Sequence, residues 1–269
     1  MTATLATRIA PLPLAGSRAG LIIERNFMVY RRLWLLIVSG FFEPVFYLFS
    51  IGIGIGALVG AVTGPDGRAV DYTTFVAPAL LAASAMNGAI YDATFNIFFK
   101  LKYAKTYDAI LATPLGPTDV ALGEIAWAQL RGTIYSAAFL LVMLAMGLIE
   151  SWWAVFALPA TMLIGFAFAA VGMAATSFMR GWQDFDFVQL AILPMFLFST
   201  TFYPLGIYPR PLQLFVECTP LYHGIELLRA LTTGTGVGVG LVGHAAYFVV
   251  MAALGISVSA HRLERLLLT

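Results

Sequence analysis

Long apolar stretches separated by short polar segments dominate this chain. A helix of about 20 apolar residues crosses the hydrocarbon core of a bilayer, and lipid offers the backbone no other hydrogen-bond partners. The pattern therefore predicts an all-α integral membrane protein, formed by a single transmembrane domain over residues 1–269. Six spans are expected, the fifth only just long enough, at residues 33–60, 72–99, 119–148, 154–179, 187–203 and 237–260.

The N-terminal residues 16–32 are predicted to form an amphipathic helix in the membrane interface rather than a span. The alternative is a basic flank that only fixes topology. Apolar side chains recur at helical spacing on one face, and arginines lie on the opposite face. The apolar face comprises Ile23, Phe27, Tyr30 and Trp34. The basic face comprises Arg18, Arg25 and Arg32.

The segment 204–236 interrupts the spanning pattern with four prolines and several charges. Insertion of one charge at mid-bilayer costs roughly 2.5–3.5 kcal/mol, which argues against a seventh span there. We expect one or two short helices on the extracellular side that enter the membrane only partway or lie at its surface. The residues of interest in this re-entrant region are Pro220, Tyr222, His223, Glu226 and Arg229.

Basic residues are distributed unequally between the two sides of the predicted spans. With the N-terminus inside, eleven lysines and arginines lie on the cytoplasmic side, and only Arg68, Arg210 and Arg229 lie outside. Because cytoplasmic loops are enriched in basic residues, both termini are expected to be cytoplasmic.

Composition excludes several classes of function. The chain is 60% hydrophobic and 11% charged, and its net charge of +1 points to no nucleic-acid partner. No phosphate-binding loop with the Gly-x-x-x-x-Gly-Lys-Ser/Thr pattern is present, so the chain itself should not bind ATP. The histidines lack metal-ligand spacing, and we predict no catalytic residues, no metal site and no cofactor bound by this chain.

Polar and small residues inside the spans are candidates for a translocation path or a helix interface, because intramembrane polar groups need partners. Glu43 is either part of such a path or a structural hydrogen-bonding group beside a kink at Pro44. Glycines at every fourth position allow a close helix approach. The candidate set is Glu43, Pro44, Gly52, Gly56, Gly60 and Asn87.

Further polar and charged residues lie near the cytoplasmic ends of the second and third spans. Asp92 and Asn96 are on the second span, and Glu124 and Arg131 are on the third. Either carboxylate could pair with Arg131, but we favour separate contacts of each side chain with the headgroups, because long charged side chains reach the interface on their own.

The cytoplasmic stretch 100–117 reads as a short helix that stops before Pro114, and it is a natural docking element for a partner protein. Tyrosine, isoleucine and leucine side chains would be its apolar anchors, and lysines would meet an acidic rim or lipid. The alternative is a basic loop that only sets topology. The predicted docking residues are Lys100, Lys102, Tyr103, Lys105, Tyr107, Asp108, Ile110 and Leu111.

Five segments together resemble a known family: residues 25–31, 43–49, 107–115, 123–124 and 219–229. The chain resembles the permease subunits of type-two ATP-binding-cassette exporters, in the branch of nodulation-factor and daunorubicin-type exporters. This resemblance implies two permease copies, or a paralogue pair, working with two separate ATPase subunits that bind ATP and Mg. It also implies that 16–32 is the connecting helix, that 100–113 is the coupling helix, and that the first, second and fifth spans line a lateral path.

We therefore expect a subunit of an ATP-driven exporter in the bacterial inner membrane, which moves an amphipathic, lipid-linked or drug-like substrate outward. Membrane lipid is a further expected partner. One alternative is an integral membrane enzyme acting on lipids, for which Asp184 and Asp186 are the only close carboxylate pair. Another is an ATP-independent transporter or channel.

Overall fold

A computed structural model describes residues 18–31, 42–64 and 67–267 of the chain. The first described helix, α1, runs over Arg18–Arg31. It packs against α5 (Pro117–Ala145). The contact is close, because a Cβ atom on Gly123 would lie 2.5 Å from the Cβ of Ile22.

The buried face of α1 differs from the apolar face that the sequence predicted. Ala19, Ile22 and Asn26 are buried, whereas Phe27 is 57% exposed and Ile23 and Tyr30 are half-buried. The helix thus packs Ile22, together with the small Ala19 and the polar Asn26, on its buried side and leaves Phe27 on its outer surface. The predicted member Trp34 lies outside the described residues.

The first long apolar helix, α2, is described over Phe42–Val59 and includes a π-helical stretch, Leu48–Ile55. The predicted start of this span, residues 33–41, lies outside the described residues. Gly52 and Gly56 allow α2 to approach the start of the next long helix, α3 (Tyr72–Tyr103). There the Thr73 hydroxyl donates a hydrogen bond to the Gly52 carbonyl at 3.0 Å. Gly60 does not contribute to this helix contact. It adopts a positive φ of +72° and begins the turn that follows α2.

A small antiparallel hairpin follows α2. Strand β1 (Ala61–Thr63) pairs with β2 (Ala69–Asp71), and Val62 lies opposite Val70. The Asp71 side chain then accepts a hydrogen bond from the Thr73 N–H at 2.9 Å, which caps the next helix.

The next helix, α3 (Tyr72–Tyr103), is the centre of the fold. Its middle is almost entirely buried, and it packs against α5, against α6 (Ala157–Thr176) and against α9 (Pro220–Thr233). It contains two π-helical turns, Asp92–Asn96 and Phe99–Tyr103. Such turns change the direction of side chains within a helix, and they are frequent at functional sites.

The short helix α4 (Thr106–Leu111) connects α3 to α5. It begins after Lys105, whose φ of +46° turns the chain sharply, and it ends before Pro114, as the sequence predicted. Helix α5 begins at a proline, which is favoured at a first helical position. A short 3-10 turn, Trp152–Phe156, then leads into α6.

The last helix, α10 (Val239–Leu267), packs along α6. Gly255 permits this contact, because an added Cβ would lie 2.7 Å from the Ala170 carbonyl carbon. Between α6 and α10 lie α7 (Asp184–Phe198), α8 (Arg210–Glu217) and the helix α9 already introduced. The pair α8 and α9 agrees with the expectation of one or two short helices in the segment 204–236.

Five helices in the described part of the chain are long and apolar enough to cross a membrane. They are Phe42–Val59, Tyr72–Tyr103, Leu122–Ala145, Trp152–Thr176 and Val239–Ser259. Helix α7 has 15 residues, fewer than the roughly 20 that a straight span needs, so a sixth span at 187–203 stays a prediction. The architecture is that of an all-α integral membrane protein.

Candidate functional site

A cavity of about 710 Å³ lies between α2, α3 and α7, with side chains from α1 and α5 at one end. Aromatic and polar groups both line its wall. Its aromatic lining includes Tyr47, Tyr91, Phe95 and Phe196. Its uncharged polar lining includes Ser84, Asn87 and Gln189. The cavity is therefore suited to a molecule that has both apolar and hydrogen-bonding parts.

Three members of the candidate set for a translocation path or helix interface line this cavity: Glu43, Pro44 and Asn87. Glu43 is exposed, and no hydrogen bond or ion pair joins its carboxylate to another described residue. The described contacts thus include none that would make Glu43 a structural hydrogen-bonding group. Gly52 and Gly56 lie instead at the contact between α2 and α3, and Gly60 lies in the turn that follows α2.

Asp92 and Arg131 form an ion pair at one end of the cavity. Asn96 connects this pair to α1, because its amide donates to the Asp92 carboxylate at 3.2 Å and to the Tyr30 hydroxyl at 3.0 Å. The Arg131 guanidinium also lies over the Tyr30 ring, with 4.8 Å between its Cζ and the ring centroid.

The expectation that Asp92 and Arg131 contact the lipid headgroups separately was therefore wrong. The reason is geometric: the π-helical turn at Asp92–Asn96 directs the carboxylate toward α5 at the level of Arg131. Both side chains are largely removed from the surface, so the lowest-energy arrangement is the paired one.

A second charged cluster joins α1, α3 and α5 near the docking segment. Lys100 Nζ donates to both Glu124 carboxylate oxygens at 2.8 and 2.7 Å. Asn26 Nδ2 donates to the same carboxylate at 3.1 Å, and Arg25 donates to the Asn26 amide oxygen at 3.1 Å. The side chains of Lys100 and Glu124 are only 12% and 5% exposed. Three helices are thereby held together through one carboxylate.

The structure changes the roles of three predicted docking residues. Lys100 is bound to Glu124, and Tyr107 and Ile110 are buried in an apolar cluster with Ile22, Ile97 and Ile125. These side chains therefore fix the docking segment to the permease and do not offer a surface to a partner. The predicted docking residues that remain accessible are Lys102, Tyr103, Lys105, Asp108 and, half-buried, Leu111.

Tyr107 is the anchor of α4. Only 2% of its side chain is exposed. Its burial, followed by the negative charge of Glu124, raises the pKa of the Tyr107 phenol well above its ordinary value. The ring stays neutral, so it can pack in the apolar cluster while its hydroxyl lies near the charged cluster.

The residues of interest in the predicted re-entrant region all lie on α9. Two groups of contacts join them to other parts of the protein. Arg229 is 2% exposed, pairs with Glu226 at 2.6 Å, donates to the Thr200 carbonyl at 3.0 Å and covers the Phe75 ring at 3.9 Å. This arginine thus joins α9 to α3 and to the end of α7. His223 contacts His244 of α10, with 2.7 Å between the two Nδ1 atoms.

Asp184 and Asp186, the carboxylate pair considered for an enzyme, lie in the first turn of α7. The Asp184 carboxylate accepts backbone hydrogen bonds from Arg180 and Gly181, so it caps a turn. In the described ranges no group of three histidine, cysteine or acidic side chains comes close enough to hold a metal ion.

Sequence reasoning missed several residues of the cavity. Tyr30, Tyr135 and Gln189 line it, although none was a candidate. Gln189 offered a usable signal, because it is a polar residue inside an apolar span. Tyr30 and Tyr135 offered none, since their positions depend on how α1 and α5 pack around α3.

Comparisons with known proteins agree with this arrangement. The ABC-2 type transporter family matches residues 18–232, a range that contains the whole lining of the cavity. Nodulation protein J of Sinorhizobium fredii (strain NBRC 101917 / NGR234) is 35% identical over 250 residues, covering 91% of this chain and 92% of that protein. Nodulation protein J of Rhizobium leguminosarum bv. viciae is 32% identical over 228 residues, covering 84% and 86%. Nodulation protein J of Rhizobium meliloti (strain 1021) is 31% identical over 236 residues, covering 87% and 88%.

Proposed function

This chain belongs to the ABC-2 type transporter family as a multi-pass transmembrane subunit, and from that premise we propose that it forms the path of an ATP-driven exporter. The substrate is an amphipathic molecule, either lipid-linked or drug-like, that moves outward across a bacterial inner membrane. Both termini lie on the cytoplasmic side, in keeping with the unequal distribution of basic residues.

The observation that carries the proposal is the cavity between α2, α3 and α7. These helices correspond to the first, second and fifth predicted spans. The wall combines large aromatic rings with Asn87, Gln189 and Glu43, and the Asp92–Arg131 pair lies at one end. A mostly apolar wall with a few polar groups is typical of small-molecule sites. An amphipathic substrate could place its apolar part against the rings and its polar part near Asn87.

The energy source is a separate ATPase. We propose that two ATP-binding-cassette subunits bind ATP and Mg and contact the exposed side of α4. A second permease copy, or a paralogue, packs against α2 and α7, which expose many large apolar side chains. These include Phe46, Phe49, Leu58, Leu197 and Phe198.

Force from the ATPase would reach the cavity through two connected clusters. Movement of α4 pulls on Tyr107 and on the Lys100–Glu124 cluster, which holds α1, α3 and α5 together. Asp92, only eight residues before Lys100 on α3, pairs with Arg131 at the end of the cavity. A shift at α4 would therefore change the position of cavity-lining groups on α3 and α5.

Purification of the tagged chain from its host membranes in mild detergent tests the partnership. We expect an ATP-hydrolysing subunit to co-purify, with two copies of each chain in the complex. Recovery of the chain without any ATPase would contradict ATP-driven transport and would favour a self-sufficient transporter.

Substitution of Glu43 tests the path. Glu43→Ala is expected to lower transport about tenfold or more, because a charged group facing the cavity is removed. Assembly and thermal stability should be unchanged, since no described residue pairs with this carboxylate. Transport into vesicles containing the ATPase complex is the measurement, and Glu150→Ala, at an exposed turn, is the matched control. Transport by Glu43→Ala at the wild-type rate would show that Glu43 is not part of the translocation path.

A further inference from the structure

A second concavity, here called the lateral groove, lies on the other side of α7. Its volume is about 840 Å³, and α6, α7 and α10 form its walls. Nearly all of the lining is apolar, with Phe168, Val171, Phe187, Met195 and Met251 as large contributors. Thr94 also lines it, but the hydroxyl of Thr94 donates to the Ile90 carbonyl at 2.7 Å. The groove is thus suited to a hydrocarbon chain.

The length of the lateral groove matches one leaflet. From Phe187 to Met195 the wall formed by α7 rises about 12 Å, at 1.5 Å per residue. One leaflet contributes about half of the roughly 30 Å hydrocarbon core. An acyl chain that enters beside Phe187 would therefore end within the groove, near Met195.

Charged groups are confined to one end of the groove, at Arg180 and Asp184. The Arg180 side chain is exposed, and its guanidinium makes no hydrogen bond to any described residue. Beside it, Phe178 lines the groove and carries the Arg262 guanidinium 4.3 Å from its ring centroid. The Nε atom of Arg262 is buried and has no hydrogen-bond partner in the described part of the chain. Arg180 therefore lines the opening, and Arg262 lies beside Phe178, where its Nη2 donates to the Ser177 carbonyl at 3.5 Å.

Asp184 adds a negative charge to this opening. Its Oδ2 atom accepts the N–H groups of Arg180 and Gly181, which fixes the carboxylate in place. Its Oδ1 atom accepts no hydrogen bond from the described residues and can accept one from a ligand. The opening thus offers donors for a phosphate and, next to them, an acceptor for an ammonium group.

We propose that the lateral groove is a binding site for a phospholipid with an ethanolamine headgroup. Arginine guanidinium groups bind phosphate oxygens strongly, often through two hydrogen bonds. The phosphate binds Arg180 within the field of Arg262, the ammonium donates to Asp184, and one acyl chain occupies the groove. A glycerol headgroup would leave the Asp184 carboxylate without its cationic partner, and a choline headgroup has no N–H to donate.

A lipid bound in the lateral groove would also affect the neighbouring cavity. Four residues line both the lateral groove and the cavity: Ile90, Thr94, Val188 and Ile192. They form a thin wall between the two spaces, and α7 contributes half of it. A lipid chain in the groove would support α7 from behind and so fix the width of the cavity. This effect on transport rests on the proposed function, whereas lipid binding itself does not.

Native mass spectrometry of the purified chain tests the site directly. The probes are phosphatidylethanolamine, phosphatidylglycerol and phosphatidylcholine with identical acyl chains. We expect retention of phosphatidylethanolamine about tenfold above the other two, as one charge-assisted hydrogen bond provides. Arg180→Gln should remove most of this retention, whereas Arg210→Gln, at an exposed position outside the groove, should not.

Two further variants distinguish recognition of the headgroup from binding of the acyl chain in the groove. Asp184→Asn keeps the turn capped and is expected to abolish the preference for phosphatidylethanolamine over phosphatidylglycerol. Ala191→Trp fills the groove and should reduce retention of every lipid, whereas Leu190→Trp, on the exposed surface of the same helix, should leave it unchanged. Equal retention of all three lipids, or retention unaffected by Arg180→Gln and Ala191→Trp, would overturn the proposal. Neither result would depend on ATPase activity or transport.

Discussion

Replacement of Arg131 with methionine is expected to destabilise the protein and to abolish transport. The variant leaves the Asp92 carboxylate without its cationic partner at a position where only 7% of that side chain is exposed. Removal of one member of a buried ion pair costs about 3–5 kcal/mol, because an uncompensated charge stays behind. The loss also reaches Asn96, whose amide joins the Asp92 carboxylate to Tyr30.

The double variant Asp92→Asn with Arg131→Met separates stability from function. Both charges are then absent, so the melting temperature should return most of the way to that of the wild type. Transport should stay low, since both groups line the cavity. Thermal unfolding in detergent and transport into vesicles are the two measurements. An Arg131→Met protein with wild-type stability would show that the Asp92–Arg131 pair contributes nothing to the free energy of unfolding.

Substitutions in α4 are expected to fall into two classes according to the direction of the side chain. Tyr107→Ala removes a fully buried ring, and losses of this kind cost about 3–5 kcal/mol. It should therefore lower both the melting temperature and the ATPase activity stimulated by the permease. Asp108→Arg reverses a charge on the exposed side of the same helix and should reduce only the stimulation.

The contrast between these two variants tests the docking surface. Glu150→Arg makes the same kind of charge reversal at an exposed turn at the other end of the protein, and it should affect neither property. Stimulation of the ATPase by Asp108→Arg at the wild-type level would exclude this surface of α4 from the contact. A stable Tyr107→Ala protein would instead show that α4 is held mainly by its neighbours.

The docking segment illustrates where sequence patterns fail. The pattern identifies a short helix with aromatic and aliphatic residues, and it correctly ends that helix before Pro114. It does not say which side of a six-residue helix faces the protein. That side is decided by the left-handed conformation at Lys105 and by the apolar cluster of Ile22, Ile97 and Ile125, which come from three other helices.

The polar and charged residues within the spans could likewise be predicted only in part. Glu43 and Asn87 stand out in apolar stretches, and both line the cavity. The partners of Asp92 and Glu124 could not be predicted in the same way, because two carboxylates and several cations lie at similar depth. The helical phase decides between them: the π-helical turns of α3 direct Asp92 toward Arg131 and Lys100 toward Glu124.

The sequence alone determined the class of the protein, the approximate positions of five long apolar helices and the likeness to a transporter family. Those conclusions depend on hydrophobic length and on local motifs, which are properties of contiguous residues. The tertiary structure decided which side of each helix is buried, which charges pair and where two concave spaces lie beside α7. Those features depend on contacts between residues far apart in the chain, such as Asn26 with Glu124 and Phe75 with Arg229, for which no local pattern carries information.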